Sequence, residues 1–378
     1  MDRLADELLA LLFSHVELDT LLTCVTVCAT WQRILCDARY WTRWSLDGWQ
    51  ARYLILIYGQ DHVPRYHLHL NTSFAESPLD MVNHAINLTV DCETWTLDTI
   101  LPQLKPCLEG LFWRGLSWEP PTVEPVFPQL KHVEIEWDEW DEEGGRVPKR
   151  SPMIRWESQW IGRQPLLRTV RVNSFHVSLL QQPRPVWNHL NTLELTKVDR
   201  ETLFHLLSGA ADTLENVTLD EIVTFRDDIG QLPDILLTTD ELLRALLPCR
   251  QLQQFSLIDS LALGTDHALT FQSFPHLVEL NIALNMAHPN PCAFLPIHAT
   301  ELDVDDVLGN CQQLFQLLAS FKGSKLYIRE HGHTLLPIEE KTLRNHLESK
   351  KWQFYFYQAD DQVEDPGYEL NITRMLDE

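Results

Sequence analysis

The chain has 378 residues, enough for two or three ordinary domains or one elongated one. Apolar residues make up 44% and charged residues 22%, the balance of a globular protein rather than a disordered one, and no apolar run approaches the length of a membrane span. A net charge of −24 is the opposite of the basic stripe of a nucleic-acid binder. It also disfavours an anionic membrane surface and biases the chain towards basic partners. The start of the chain has no basic segment leading into an apolar one, because the apolar run 8–13 follows Asp6 and Glu7, so an intracellular protein is expected, in the cytoplasm or the nucleus. The four N-x-Ser/Thr matches are then incidental. Eight cysteines show no C-x-x-C pair and no zinc spacing with histidine; Cys24 and Cys28, four apart, read as small core residues of one helical face. No cofactor is expected.

Three short helices open the chain. Leu8, Leu9, Leu12, Phe13 and Val16 recur at spacings of one, three and four, which places them on one broad apolar stripe. Asp6 and Glu7 suit the positive end of that helix. A second helix carries Leu18, Leu21, Leu22 and Val25, a third Val27, Trp31, Ile34 and Leu35, and Trp41 and Trp44 close the unit. Three helices this short cannot bury so much apolar surface among themselves, so the module needs a partner or a neighbouring domain. Its residues Leu4-Ala5-Asp6-Glu7, Leu12-Phe13, Leu18 with Leu21, Val27-Cys28-Ala29-Thr30-Trp31 and Trp41 stand in the order and at the spacing of an F-box, and over residues 1–46 the chain resembles that family. Ala5 stands where the family has proline. The resemblance implies docking on a Skp-family adaptor, and through it on a cullin–RING ubiquitin ligase, by Leu4, Leu8, Leu12, Val27, Trp31 and Leu35.

Residues 47–60 read as a packed junction, because of the apolar run 53–57; the longest apolar patch, 53–58, is only strand-sized. From about residue 61 a pattern Leu-x-x-Φ-x-Φ recurs, where Φ is apolar: Leu108-x-x-Leu111-x-Trp113 and Leu277-x-x-Leu280-x-Ile282 are two clear copies. The first Φ positions are 68, 88, 111, 133, 170, 193, 217, 255, 280, 302, 326 and 354. Their gaps run from 20 to 28 except for 37 and 38, which mark insertions near 137–164 and 223–248. That period is the range of leucine-rich repeats, and residues 61–358 resemble an irregular solenoid of that family. The usual asparagine or cysteine after the strand is mostly missing. Each Φ-x-Φ is a short strand with two side chains turned inward, separated by helices at 200–211, 239–247, 307–321 and 339–350. One repeat cannot bury its apolar face alone, so the copies stack. The expected fold is α/β: a helical F-box followed by a horseshoe of parallel strands on the concave face, with an acidic tail, 359–378, that frays.

The x positions face away from the core. Glu134, Glu136, Arg171, Glu194, Asp220, Asp303 and Asp305 are the charged ones singled out here, as a surface for a basic or mixed-charge protein substrate or simply as side chains meeting water. The first insertion adds Trp137 and Trp140 among acids, either a recognition loop or a loop folded back on the solenoid. His67 and His69 would share one strand face. No nucleophile elbow, phosphate loop or dinucleotide fingerprint occurs, so no enzyme is expected. The family resemblance implies a non-catalytic substrate receptor. The alternatives are an adaptor-binding protein that directs no ubiquitination, and a repeat scaffold whose N-terminal helices cap the strands, with Leu4, Leu8 and Leu12 buried against 45–70.

Overall fold

A computed structural model describes residues 5–71, 79–91, 100–104, 106–114, 126–136, 153–155, 161–173, 176–178, 187–223, 237–331, 334–358 and 367–374. The fold is α/β and divides into two compact units, Met1–His176 with Leu180–Pro185, and Val177–Leu179 with Val186–Glu378.

The first unit opens with helices α1 (Asp6–Phe13), α2 (Leu18–Cys24) and α3 (Ala29–Ile34). Cys24 ends α2 and Cys28 caps α3, so a turn separates the two thiols rather than one helical face joining them. No side chain caps α1 or α2; packing and backbone bonds hold them instead. Phe13 is fully buried and meets the Trp31 ring edge-on at 5.1 Å. The buried Trp41 indole N–H donates to the Leu35 carbonyl at 2.7 Å. Arg43 donates to the Phe13 and Val16 carbonyls at 2.9 Å each and to that of Ser14, which satisfies the acceptors left over where α1 ends.

The strands begin earlier than the repeat pattern indicates. β1 (Ser45–Asp47) pairs parallel with β2 (Tyr66–Asn71), Leu46 opposite Leu68. The apolar run of the junction, 53–57, lies within the helix α4 (Gly48–Tyr58). Asp47 accepts from the Gln50 backbone at 2.8 Å and Gln50 accepts from the Asp47 backbone at 3.0 Å, a capping box that starts the helix, and Gly59 at φ 74° ends it. A boundary at 46/47 would therefore cut β1. α4 is tied to the N-terminal module by Gln32 donating to the Ile57 carbonyl at 3.2 Å and Tyr58 donating to that of Gln32 at 3.0 Å.

After α5 (Leu79–Val82) come β3 (Ala85–Asp91), β4 (Gly110–Arg114), β5 (His132–Glu136), the short β6 (Met153–Arg155) and β7 (Thr169–Asn173). The parallel order is β1-β2-β3-β4-β5-β7. Leu68, Leu88, Leu111, Val133 and Val170 stand opposite one another in succession, the register that the repeat pattern predicts. Among the described connections here are single 3-10 turns at Leu101–Gln103 and Ile161–Arg163.

In the second unit, β8 (His176–Ser178) meets β9 (Thr192–Asp199) at Val177 and Val198. Then follow α6 (Arg200–Gly209), β10 (Asn216–Val223), α7 (Thr239–Leu246), β11 (Gln254–Leu261), β12 (Glu279–Leu284), α8 (Pro291–Phe294), β13 (Glu301–Asp305), α9 (Cys311–Ser320) and β14 (Lys325–His331). β9 to β14 are parallel in chain order, and Leu193, Val217, Phe255, Leu280, Leu302 and Leu326 stand in register. Each Φ pair is buried to within 2% exposure, which contributes about 1.5–3 kcal/mol per large side chain. Backbone bonds knit the strand entrances, as in Gln253 to Glu215, Val278 to Gln253, Thr300 to Val278 and Ser324 to Thr300. They tie each copy to the next just before its strand begins.

The end of the unit departs from the repeat. After α10 (Pro337–Ser349), β15 (Gln353–Gln358) holds Phe354 and Phe356, the last expected copy. β15 does not touch β14. β16 (Gly367–Thr373) lies between them and runs antiparallel to both. Tyr368, Leu370 and Ile372 of β16 are buried. Part of the stretch read as a fraying acidic tail is therefore a central strand.

Candidate functional site

Two kinds of surface present side chains that the core does not use. The first is the N-terminal module. The apolar stripe of α1 is broader than one face of a helix, and it divides. Leu9 and Phe13 enter the core, while Leu8, Leu11 and Leu12 remain 55%, 59% and 49% exposed. Val27 in the turn before α3 is 56% exposed. Trp31 is half-buried against Phe13. Leu35 is fully buried and accepts the Trp41 indole at its carbonyl, so its side chain belongs to the core and not to a docking face. Leu4 lies outside the described residues. Ala5 takes the N-cap position of α1 with φ −59°, a backbone angle that proline would also hold.

Sequence reasoning missed two parts of this surface. Leu11 stands three positions after Leu8 and shares its face. An open depression of about 310 Å³ lies between Leu22 and Thr23 of α2 and Trp49, Gln50 and Tyr53 of α4. The helical reading of 48–58, which the Asp47–Gln50 spacing signals, is what places Trp49 and Tyr53 one turn apart.

The second kind of surface is the strand face turned away from the core. In the first unit it is charge-balanced. Arg114 lies 2.9 Å from Glu136 and 3.5 Å from Glu134, and Arg171 reaches Glu134 at 3.5 Å. Glu134 and Glu136 are thus engaged by the chain's own arginines. His67 and His69 do share one face, and burial lowers the affinity of His67 for a proton. No group of three or more His, Cys, Asp or Glu that could hold a metal occurs among the described residues. Trp137 and Trp140 lie outside the described residues.

In the second unit the same face is acidic. Glu194 lies opposite Thr218, and Asp220 opposite Thr196. Asp305 pairs with Arg329 at 2.8 Å; Arg329 also reaches Glu369 at 3.5 Å, donates to the Tyr327 hydroxyl at 3.0 Å and lies over the Tyr327 ring at 5.1 Å. Glu369 sits on β16, which is why sequence reasoning left it out of the face. Asp303 has no ion pair or side-chain hydrogen bond with any described residue. Burial, and then the neighbouring Asp305, push its carboxyl up to about 6, with Arg329 acting the other way. Asp305 is raised chiefly by burial, against the pull of Arg329 and His331.

Among the described residues, no helix is long and apolar enough to cross a membrane. No protein-family model matches the sequence, and no curated protein matches it either.

Proposed function

We propose that this chain is the substrate-recognition subunit of a Skp–cullin–F-box ubiquitin ligase. In this reading the N-terminal module docks on a Skp-family adaptor, and the leucine-rich-repeat horseshoe holds a protein substrate on its concave strand face. The chain makes and breaks no bond. It raises the effective concentration of substrate lysines beside the recruited ubiquitin-carrying enzyme.

The observation that carries this reading is the division of the α1 stripe. Leu8, Leu11, Leu12 and Val27 are exposed on a module whose own core is closed by Leu9, Phe13, Leu21, Leu35 and Trp41. A cluster of large apolar side chains left in water on a well-packed module is what a protein interface uncovers when its partner is absent. The capping alternative requires Leu8 and Leu12 to be buried against 45–70, and both are about half exposed. Leu8 and Leu12 are docking residues in the family pattern too.

The test is co-purification of the full chain with a recombinant Skp-family adaptor. Leu8→Asp places a charge on an exposed position, so the fold is expected to persist by circular dichroism while capture falls at least tenfold. Undiminished capture of a folded Leu8→Asp chain, or no capture of the wild-type chain, would overturn the assignment. Point substitutions are needed, because a chain that starts at Asp47 loses Ser45 and Leu46 of β1.

A further inference from the structure

On the strand face of the second unit lies an open cavity of about 410 Å³. Across it Ser256, Asn281, Asp303, Tyr327 and Asn371 stand in register, one from each of β11, β12, β13, β14 and β16. At about 4.8 Å per strand the row is roughly 19 Å long, the span of five or six extended residues. Its chemistry is hydroxyl, amide, carboxylate, phenol and amide, a series of donors and acceptors with one anionic centre. Immediately around that centre the face of β12, β13, β14 and β16 carries five carboxylates (Glu279, Glu301, Asp303, Asp305 and Glu369) against two cations, Lys325 and Arg329. Both cations are already engaged, Lys325 with Glu301 at 2.6 Å and Arg329 with Asp305 at 2.8 Å. Asp303 is left facing the cavity with no cation of its own among the described residues.

We infer that this cavity is a subsite for an extended, lysine- or arginine-bearing segment of a protein partner, with the cation seated against Asp303 and the backbone running along the Ser256-to-Asn371 row. A half-buried carboxylate has lost part of its hydration, and an incoming cation replaces it; this is the arrangement in which a charge pair adds to affinity. An anionic ligand such as a phosphopeptide or nucleic acid is repelled by the same field. Among the described residues the first unit offers no counterpart, because Arg114 and Arg171 already engage Glu134 and Glu136. The inference names the substrate class of the strand face in the proposed reading, and rests on that reading only for the partner's fate.

The probe is a fluorescein-labelled peptide, GSKRGSKRGSG, with GSQQGSQQGSG as its neutral counterpart, titrated into the full chain at 50 mM salt and followed by fluorescence anisotropy. The basic peptide is expected to bind and the neutral one not. Asp303→Asn, which keeps shape and removes one charge, is expected to weaken binding at least tenfold. Glu348→Gln removes the same charge from the exposed side of α10 and should change binding less than twofold. Equal losses in the two variants would reduce the effect to the net charge of the chain and overturn the subsite, as would equal binding of the neutral peptide. Adaptor capture, measured on the same Asp303→Asn protein, is expected to be unchanged. Failure of the peptide arm with capture intact therefore sinks the subsite alone, while the reverse sinks only the ligase reading.

Discussion

At the scale of single residues, the most consequential side chain outside both surfaces is Glu330. It alternates with Leu326 and Ile328 on the buried side of β14 and is 1% exposed. The Leu308 backbone donates to one carboxyl oxygen at 2.8 Å, which ties the turn after β13 to β14, while the other oxygen has no hydrogen-bond partner among the described residues. Burial, against that backbone bond and with help from Asp306 and Asp305, raises the carboxyl from 4.5 to about 8. The folded chain then holds a proton that the unfolded chain releases above about pH 4.5. The associated stability is complete in acid and is lost as pH rises through about 8. Glu330→Gln keeps the bond to Leu308 and removes the titration. Relative to wild type it should gain roughly 2–5 kcal/mol of stability between pH 5 and pH 9, read from urea unfolding at each pH. A variant that tracks wild type across that range would show that Glu330 is ionised in the core. Nothing in the sequence distinguishes Glu330 from the exposed acids, because its strand parity changes meaning only once β14 is known to be a strand as far as His331.

Among elements, α7 shows how local chemistry and packing agree. Thr238 caps the helix: its hydroxyl accepts from the Glu241 backbone at 3.4 Å and donates to the Glu241 carboxylate at 2.8 Å, and that carboxylate also accepts the Thr238 backbone N–H. Thr238→Ala should cost about 1 kcal/mol, measurable as a lower thermal midpoint of the second unit, and Thr238→Ser should restore most of it. Repeats were the most legible feature of the chain. Leu68, Leu88 and Leu111, or Leu280, Leu302 and Leu326, recur because each copy must fill the same place in the core, and their positions alone predicted the register. Two elements were not legible, each for its own reason. Residues 53–57 are an unbroken apolar run, which carries no period, and the cue to a helix lay upstream in Asp47 and Gln50. Tyr368, Leu370 and Ile372 do alternate as a strand should, but they sit in an acidic stretch whose composition argues for fraying. At the candidate sites, spacing identified the α1 stripe but could not assign Leu8 to solvent and Leu9 to the core. It also could not foresee that Arg114 and Arg171 neutralise Glu134 and Glu136 while Asp303 stays without a partner among the described residues.

The molecule as a whole carries its charge of −24 unevenly, balanced on one strand face and acidic on another. Self-repulsion of that size favours expanded states, and salt screens exposed charges within about 10 Å at 0.1 M. The thermal midpoint of the full chain is therefore expected to rise by a few degrees between 0.02 and 0.3 M sodium chloride. A fall would mean that surface pairs such as Lys325–Glu301 outweigh the repulsion. The order of the last three strands has a consequence for biosynthesis. β16 is made after β15 yet inserts between β14 and β15, so β15 has no neighbour to pair with until β16 emerges. A chain cut short after Gln358, by a premature stop codon or a protease, would display two bare strand edges: that of β14, and that of an uncharged aromatic β15, Gln-Phe-Tyr-Phe-Tyr-Gln. Such edges recruit other strands. In the full-length chain β16 covers the edge of β14 and one edge of β15, and the outer edge of β15 alone stays open.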